Sequence, residues 1–128
     1  QVMVLTNHER LNNGCEPLAL DDRLHMAAES HSQDMAINDF FSHIAPDGTT
    51  PWDRIHAQGY FYSTAGENIA AGYSSPESVV HAWMNSEGHR ANILNCGFKD
   101  IGVGYYFLKN DNGDVNYWHY WTQVFASP

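Results

Sequence analysis

Three separated segments hold the side chains of this chain that could do chemistry. Phe40-Phe41-Ser42-His43 runs into the turn Ala45-Pro46-Asp47-Gly48. Gly66-Glu67-Asn68-Ile69-Ala70 places a carboxylate inside an apolar-edged stretch. Ser86-Glu87-Gly88-His89-Arg90 brings a hydroxyl, a carboxylate, an imidazole and a guanidinium together in one short run. Glu67 is the strongest single candidate, because glutamate is depleted in strands and a buried carboxylate is rare unless it is paired. The alternative is a buried carboxylate that only accepts backbone hydrogen bonds. A zinc site needs three or four ligands, and His43, His89 and Glu67 supply two imidazoles and a carboxylate only if the fold gathers them. No HExxH occurs, since His8-Glu9 lacks the second histidine. A hydrolase needs a nucleophile, a base and an orienting acid, and Ser42 or Ser86 with His43 or His89 and Glu67 would be the set. No nucleophile signature supports it: Gly72-Tyr73-Ser74-Ser75-Pro76 carries Pro76 where GxSxG requires glycine.

The elements that must position these residues follow from periodicity and punctuation. Residues 2–12 form a helix with Val4, Leu5, His8 and Leu11 on one side, ended by Asn13-Gly14 and barred from continuing by Pro17. Asp21 or Asp22 caps a second helix over 23–38, whose stripe is Leu24, Ala27, Ala28, His31 and Met35. The small alanine pair predicts close packing against a neighbouring layer. Thr50-Pro51 opens a short helix that Gly59 closes, and Ser75-Pro76-Glu77 opens another over 76–85. A further helical turn covers 88–94. The last third changes period. Residues 101–107 and 117–125 are rich in β-branched and aromatic side chains, with Asn110-Asp111-Asn112-Gly113 between them, and read as a hairpin. Gly102-Val103-Gly104 lacks the third glycine of a nucleotide loop, so these are strand glycines that admit close packing. Residues 66–70 form a short strand. The class is α+β, four helices flanking about three antiparallel strands in a layered core.

Composition excludes several partners. At 128 residues this is a single domain, 1–128. The net charge of −9 argues against nucleic acid and against anionic membrane surfaces. No apolar run approaches the ~18 residues of a membrane helix. The chain begins at Gln1 without a basic segment and apolar run, so a secreted protein would have had its signal peptide removed. Cys15 and Cys96 form no CxxC pair, which leaves a disulfide or two buried free thiols. The surrounding loops favour the bridge, which would stabilise the fold by roughly 4–5 kcal/mol in the chain-entropy model. Most aromatics belong to the core, while tyrosines of the loop 60–65 could rim a pocket for an apolar or glycan ligand.

The same segments, read in order, resemble one family. Asn7-His8-Glu9-Arg10-Leu11, Pro17-Leu18, Phe41-Ser42-His43, Gly66-Glu67-Asn68-Ile69-Ala70, Trp83-Met84-Asn85-Ser86, Gly88 to Leu94, and Trp121-Thr122-Gln123-Val124-Phe125 are similar to the CAP superfamily of cysteine-rich secretory, antigen-five and pathogenesis-related proteins, most closely its small bacterial secreted branch. The resemblance covers nearly the whole chain and implies an α-β-α sandwich. It also implies that His43 and Glu67 face each other across a cleft. Better-known members complete a tetrad with a second glutamate and a second histidine, and here those positions hold Ser86 and Tyr120. Glu87 and His119 stand next to them but one step off in direction. His89 is the residue that supplies an imidazole to the cleft in the bacterial branch.

The leading reading is a secreted, monomeric, non-catalytic binding module. Its cleft would be built from His43, Glu67, Ser86, His89 and Tyr120, with the two hydroxyls donating and the His43–Glu67 pair charge-assisted. Its ligand would be a lipid or other small apolar molecule, a divalent metal such as zinc on His43 and His89, or a cell-surface or protein partner. The competing reading is a metal-assisted or serine-based hydrolase of peptide or cell-wall material.

Overall fold

A computed structural model describes residues 1–128. In chain order the elements are α1 (Val2–Asn12), β1 (Ala19–Leu20), α2 (Asp22–Ile37), α3 (Pro51–Ala57), β2 (Thr64–Ala71), α4 (Pro76–Met84), α5 (Glu87–Ile93), β3 (Asp100–Phe107) and β4 (His119–Ser127). The helix starts are the ones punctuation dictates. The Asp21 carboxylate accepts from the amides of Arg23 and Leu24. Thr50 and Asp53 form a reciprocal capping box ahead of α3, and Ser75 and Ser78 form one ahead of α4.

The sheet order is β1-β3-β4-β2. β4 lies between β3 and β2, antiparallel to both, and β1 pairs in parallel with the start of β3. The parallel β1 is absent from the sequence reading, because two residues show no period. The strand expected at 66–70 extends over 64–71, and the helical turn at 88–94 is a full fifth helix. The hairpin connection is longer than expected. It runs over 108–118 and is tied down by two carboxylates: Asp39 accepts from the amides of Asp114 and Val115, and Asp111 accepts from that of Trp118.

Side chains alternate across β4 and define two cores. On one face Trp121 and Phe125 pack with Val79, Val80 and Trp83 of α4, Ile93 of α5 and Val2 of α1. On the other, Val124 and Ala126 meet Leu24, Ala27 and Ala28 of α2, while Tyr120 meets Met35 and Ala36. The layers are helix, sheet, helix: the α-β-α sandwich. α2 lies directly on β3. A Cβ added to Gly102 would stand 2.1 Å from the Leu24 carbonyl carbon, and one added to Gly104 would stand 2.3 Å from that of Ala28. The strand glycines and the alanine pair are therefore two halves of one contact.

Cys15 and Cys96 are bridged, tying the loop after α1 to the loop after α5. Beside the bridge Arg10 is wholly buried. It donates to four main-chain carbonyls, those of Glu16, Ile93, Asn95 and Phe98. Burial pulls this guanidinium below its ordinary pKa.

Candidate functional site, a polar cleft along the outer edge of β2

β2 ends the sheet, so one of its edges has no neighbouring strand. Glu67 stands opposite Val124 and faces the α2 layer, and Asn68 stands opposite Gln123 and faces the other. The cleft opens where these two faces meet the edge. His43, from the loop after α2, bounds one side, and Ser86, His89 and Asn92 of α5 and its cap bound the other.

Glu67 is buried and doubly held. The His43 ring donates through Nδ1 to Glu67 Oε1 at 2.8 Å. A carboxylate only accepts, so that nitrogen carries the proton and Nε2 is left for a ligand. Arg54 Nη2 reaches Oε2 at 3.1 Å and Oε1 at 3.4 Å. The same Nη2 donates to the His43 carbonyl at 2.8 Å, so one guanidinium fixes the carboxylate and the loop bearing the imidazole. The His43 side chain is 47% exposed while that of Glu67 is 2% exposed, so the imidazole is the part of the pair a ligand can touch.

Behind this group lies His31 of α2, fully buried. Its Nε2 donates to the Ser42 carbonyl at 2.9 Å, steadying the residue before His43. Its Nδ1 has no partner. Burial, with the nearby Arg54 cation adding to it, pulls its pKa down to about 4 against the opposing pull of Glu67. It is neutral at neutral pH.

Across the cleft, Ser86 occupies the cap position of α5 but makes no capping bond. Its hydroxyl instead meets His89 Nδ1 at 2.9 Å. Partial burial, and then the nearby His43, hold His89 below the usual histidine pKa. A run of side-chain amides sets this wall against the strand. Asn68 Nδ2 donates to the His89 carbonyl and to Gln123 Oε1, Asn92 Nδ2 donates to Asn68 Oδ1, and Gln123 Nε2 donates to Thr6 Oγ1 of α1. Side chains also close the strand edge: Asn92 donates to the Glu67 carbonyl and Trp83 Nε1 to that of Ile69.

Of the expected cleft residues, His43, Glu67, Ser86 and His89 come together and Tyr120 does not. Tyr120 lies wholly buried on the α2 face of β4 and donates its hydroxyl to Asp111, locking the 108–118 loop. Burial and that carboxylate push its pKa up to about 12. The correction has a positional cause: Tyr120 shares the α2 face with Glu67 but pairs with Ala71, four residues along β4 from the partner of Glu67, and its hydroxyl is taken by Asp111. Arg54 is a site residue that sequence reasoning misses. Its signal is available, because a buried glutamate needs a counter-charge and only 6 basic residues exist to provide it. Asn92 lies within the Arg90-Ala91-Asn92 run, whose pattern marks the family without revealing the role of its amide.

The donors do not fit a resident zinc ion. Only the Nε2 atoms of His43 and His89 are left open, both Glu67 oxygens are engaged within the Arg54 group, and nowhere do three or more histidine, cysteine, aspartate or glutamate side chains converge to hold a metal. Two apolar hollows adjoin the polar cleft. One, rimmed by Phe41, Tyr73 and Tyr117 over Trp83, shares Ser86 and His89 with it. The other, at Ile44, Pro51 and Trp52, shares His43, Glu67 and Asn92.

An α-β-α sandwich with a histidine–glutamate cleft at the sheet edge is the architecture of one class of domain. The chain belongs to that class, the cysteine-rich secretory protein (CAP) family, whose family model matches residues 4–125. It is 47% identical over 125 residues to YkwD of Bacillus subtilis, covering 98% of this chain and 45% of YkwD. It is 36% identical over 113 residues to the Bacillus subtilis membrane protein YlbC, covering 86% of this chain and 33% of YlbC. The chain thus spans less than half the length of either relative. Among solved structures, an extracellular protein containing an SCP domain from Bacillus anthracis superposes with a TM-score of 0.86 at 36% identity, over 100% of this chain and 39% of that one. An outer surface protein of Borrelia burgdorferi superposes with a TM-score of 0.87 at 23% identity, over 98% of this chain and 89% of that one, a likeness of fold. No helix is long and apolar enough to cross a membrane.

Proposed function

We propose that this domain is a secreted, non-catalytic binding module that holds its ligand in the cleft through His43, Ser86, His89 and Asn92. Glu67 and Arg54 serve from beneath by fixing His43. The observation that carries this reading is the engagement of Glu67: both of its oxygens are bonded inside the protein. A general base or nucleophile must present a lone pair to the reactant, and this carboxylate, 2% exposed beneath His43 and Arg54, presents none at the surface. The extracellular relatives and the disulfide, which persists in oxidising compartments, support an address outside the cytoplasm.

One observation favours the hydrolase reading. Ser86 and His89 stand at hydrogen-bond distance, and burial lowers the His89 pKa, which favours the neutral form a base needs. The third member is missing, since the cleft carboxylate belongs to Arg54 and His43.

Both readings meet one experiment. The ring resonances of His43 and His89 and the side-chain amide of Asn92 are followed by NMR against fatty acid, zinc, short peptides and glycan oligomers. Ester and peptide substrates are tested in parallel at high protein concentration. The module predicts that one probe class shifts these resonances saturably, that His43→Ala abolishes the shift, and that nothing is turned over. Turnover that Ser86→Ala removes would replace the module with an enzyme, and silence across all probes would defeat it.

A further inference from the structure

We infer that the cleft binds a neutral glycan strand carrying acetamido groups, laid across the outer edge of β2 with sugar rings on the aromatic surfaces at its two ends. This rests on the binding-module reading and names its ligand class. The three hollows form one groove, because each shares wall residues with the next. The Phe41–Tyr117 hollow of about 280 Å³ meets the polar cleft of about 270 Å³ at Ser86 and His89. The polar cleft meets the Trp52 hollow of about 320 Å³ at His43, Glu67 and Asn92.

Exposed rings gather at both mouths. At one, Phe41 and Tyr117 stand edge to face at 6.0 Å, and Tyr117 is 48% exposed. At the other, Trp52 adjoins Tyr62 at 6.2 Å, and Tyr62 stacks on His56 at 4.9 Å. His56 in turn meets Phe61, which is 77% exposed. Single exposed apolar side chains are ordinary, but contiguous ring surfaces beside a polar groove mark a recognition site. Ring faces suit the C–H faces of pyranoses, and the polar middle suits their hydroxyls.

Charge narrows the choice. The cleft carboxylate is compensated internally by Arg54, so no free charge remains to anchor an ionic ligand. The net charge of −9 repels polyanions, which leaves a neutral strand. A peptide adding to the sheet would need the β2 edge carbonyls, and Asn92 and Trp83 already occupy those of Glu67 and Ile69. The acetamido preference comes from the hollow beside Ser86. Ile69, Ala71 and Ala82 among its lining residues suit a methyl group, while Ser86 and His89 border it with hydrogen-bonding atoms.

The test is calorimetric titration with a hexamer of β-linked N-acetylglucosamine and, separately, a hexamer of β-linked glucose, alongside Trp fluorescence. Saturable binding of the acetylated hexamer is expected, with clearly weaker binding of the glucose hexamer. Trp52→Ala and Tyr117→Ala, both at exposed rings and checked for fold by thermal melting, should each weaken binding about three- to tenfold. No saturable binding of the acetylated hexamer, or unchanged affinity in both variants, overturns the inference, and equal affinity for the two hexamers overturns its acetamido part. If fatty acid, zinc or peptide still shifts the His43 and His89 resonances when the glycans do not, the glycan assignment alone falls. If no probe shifts them, the binding-module reading falls with it.

Discussion

Arg10 and Arg54 are both buried guanidiniums, yet their surroundings differ in kind. Arg10 gives its bonds entirely to carbonyls, joining α1 to the turns around Cys15 and Cys96. Nothing in that set can change its charge, and Arg10 itself is wholly buried. Arg54 gives its bonds to two carbonyls and to Glu67, and Glu67 passes the interaction to an imidazole half open to solvent. The first arrangement fixes chain to chain. The second uses the same kind of buried cation to hold out an adjustable group. The lesson concerns what completes the cation's shell: fixed dipoles make a scaffold, and a titratable partner shared with the surface makes a site.

The contrast can be broken at its strongest point first. Arg10→Met would strand four inward-facing carbonyls, and urea denaturation should register a loss of about 4–5 kcal/mol, with ligand affinity of the folded fraction unchanged. A loss below about 1 kcal/mol would show that those carbonyls are satisfied another way. Arg54→Met should cost about 3–4 kcal/mol by leaving Glu67 buried without its cation. Adding Glu67→Gln should restore part of that, with a coupling of about 1–3 kcal/mol in a double-mutant cycle. Strict additivity would mean the two side chains do not act as a pair.

A further expected effect distinguishes the regions by pH. His31, behind Arg54, titrates at about 4 when folded and near 6.5 when unfolded. Its folded value is depressed, so the unfolded chain binds the proton first. Stability is complete above pH 6.5 and falls by about 3 kcal/mol as the pH drops to about 4. His31→Gln, which can still donate to the Ser42 carbonyl, should flatten that limb of a melting-temperature profile. Arg10 has no bonded group that titrates in this range. An acid limb unaltered by the substitution would place the sensitive group elsewhere.

Much of this molecule is legible in the sequence where short-range physics decides it. The stripe of α2 and the glycines of β3 announce a close helix–strand contact, because small residues at helical spacing have few other uses. The proline-led caps of α3 and α4 fix two helix starts. His43 and Glu67 stand out by residue chemistry and family likeness, and the fold sets them 2.8 Å apart. What escapes is settled at long range. Arg54 lies on a seven-residue helix too short to show an inward face by period. Tyr120 holds a cleft position in a family pattern, but its hydroxyl is claimed by Asp111 in a loop with no regular signal. β1 is too short to alternate.

Gly102 and Gly104 have a consequence for how the protein recognises anything. With main chain resting on main chain, α2 is keyed into the sheet and can neither slide nor roll without collision. The loop that presents His43 leaves the end of that helix, so one wall of the groove is cast in place before any ligand arrives. On the binding-module reading proposed above, recognition would proceed on a preformed mould, with little affinity lost to reshaping the receptor.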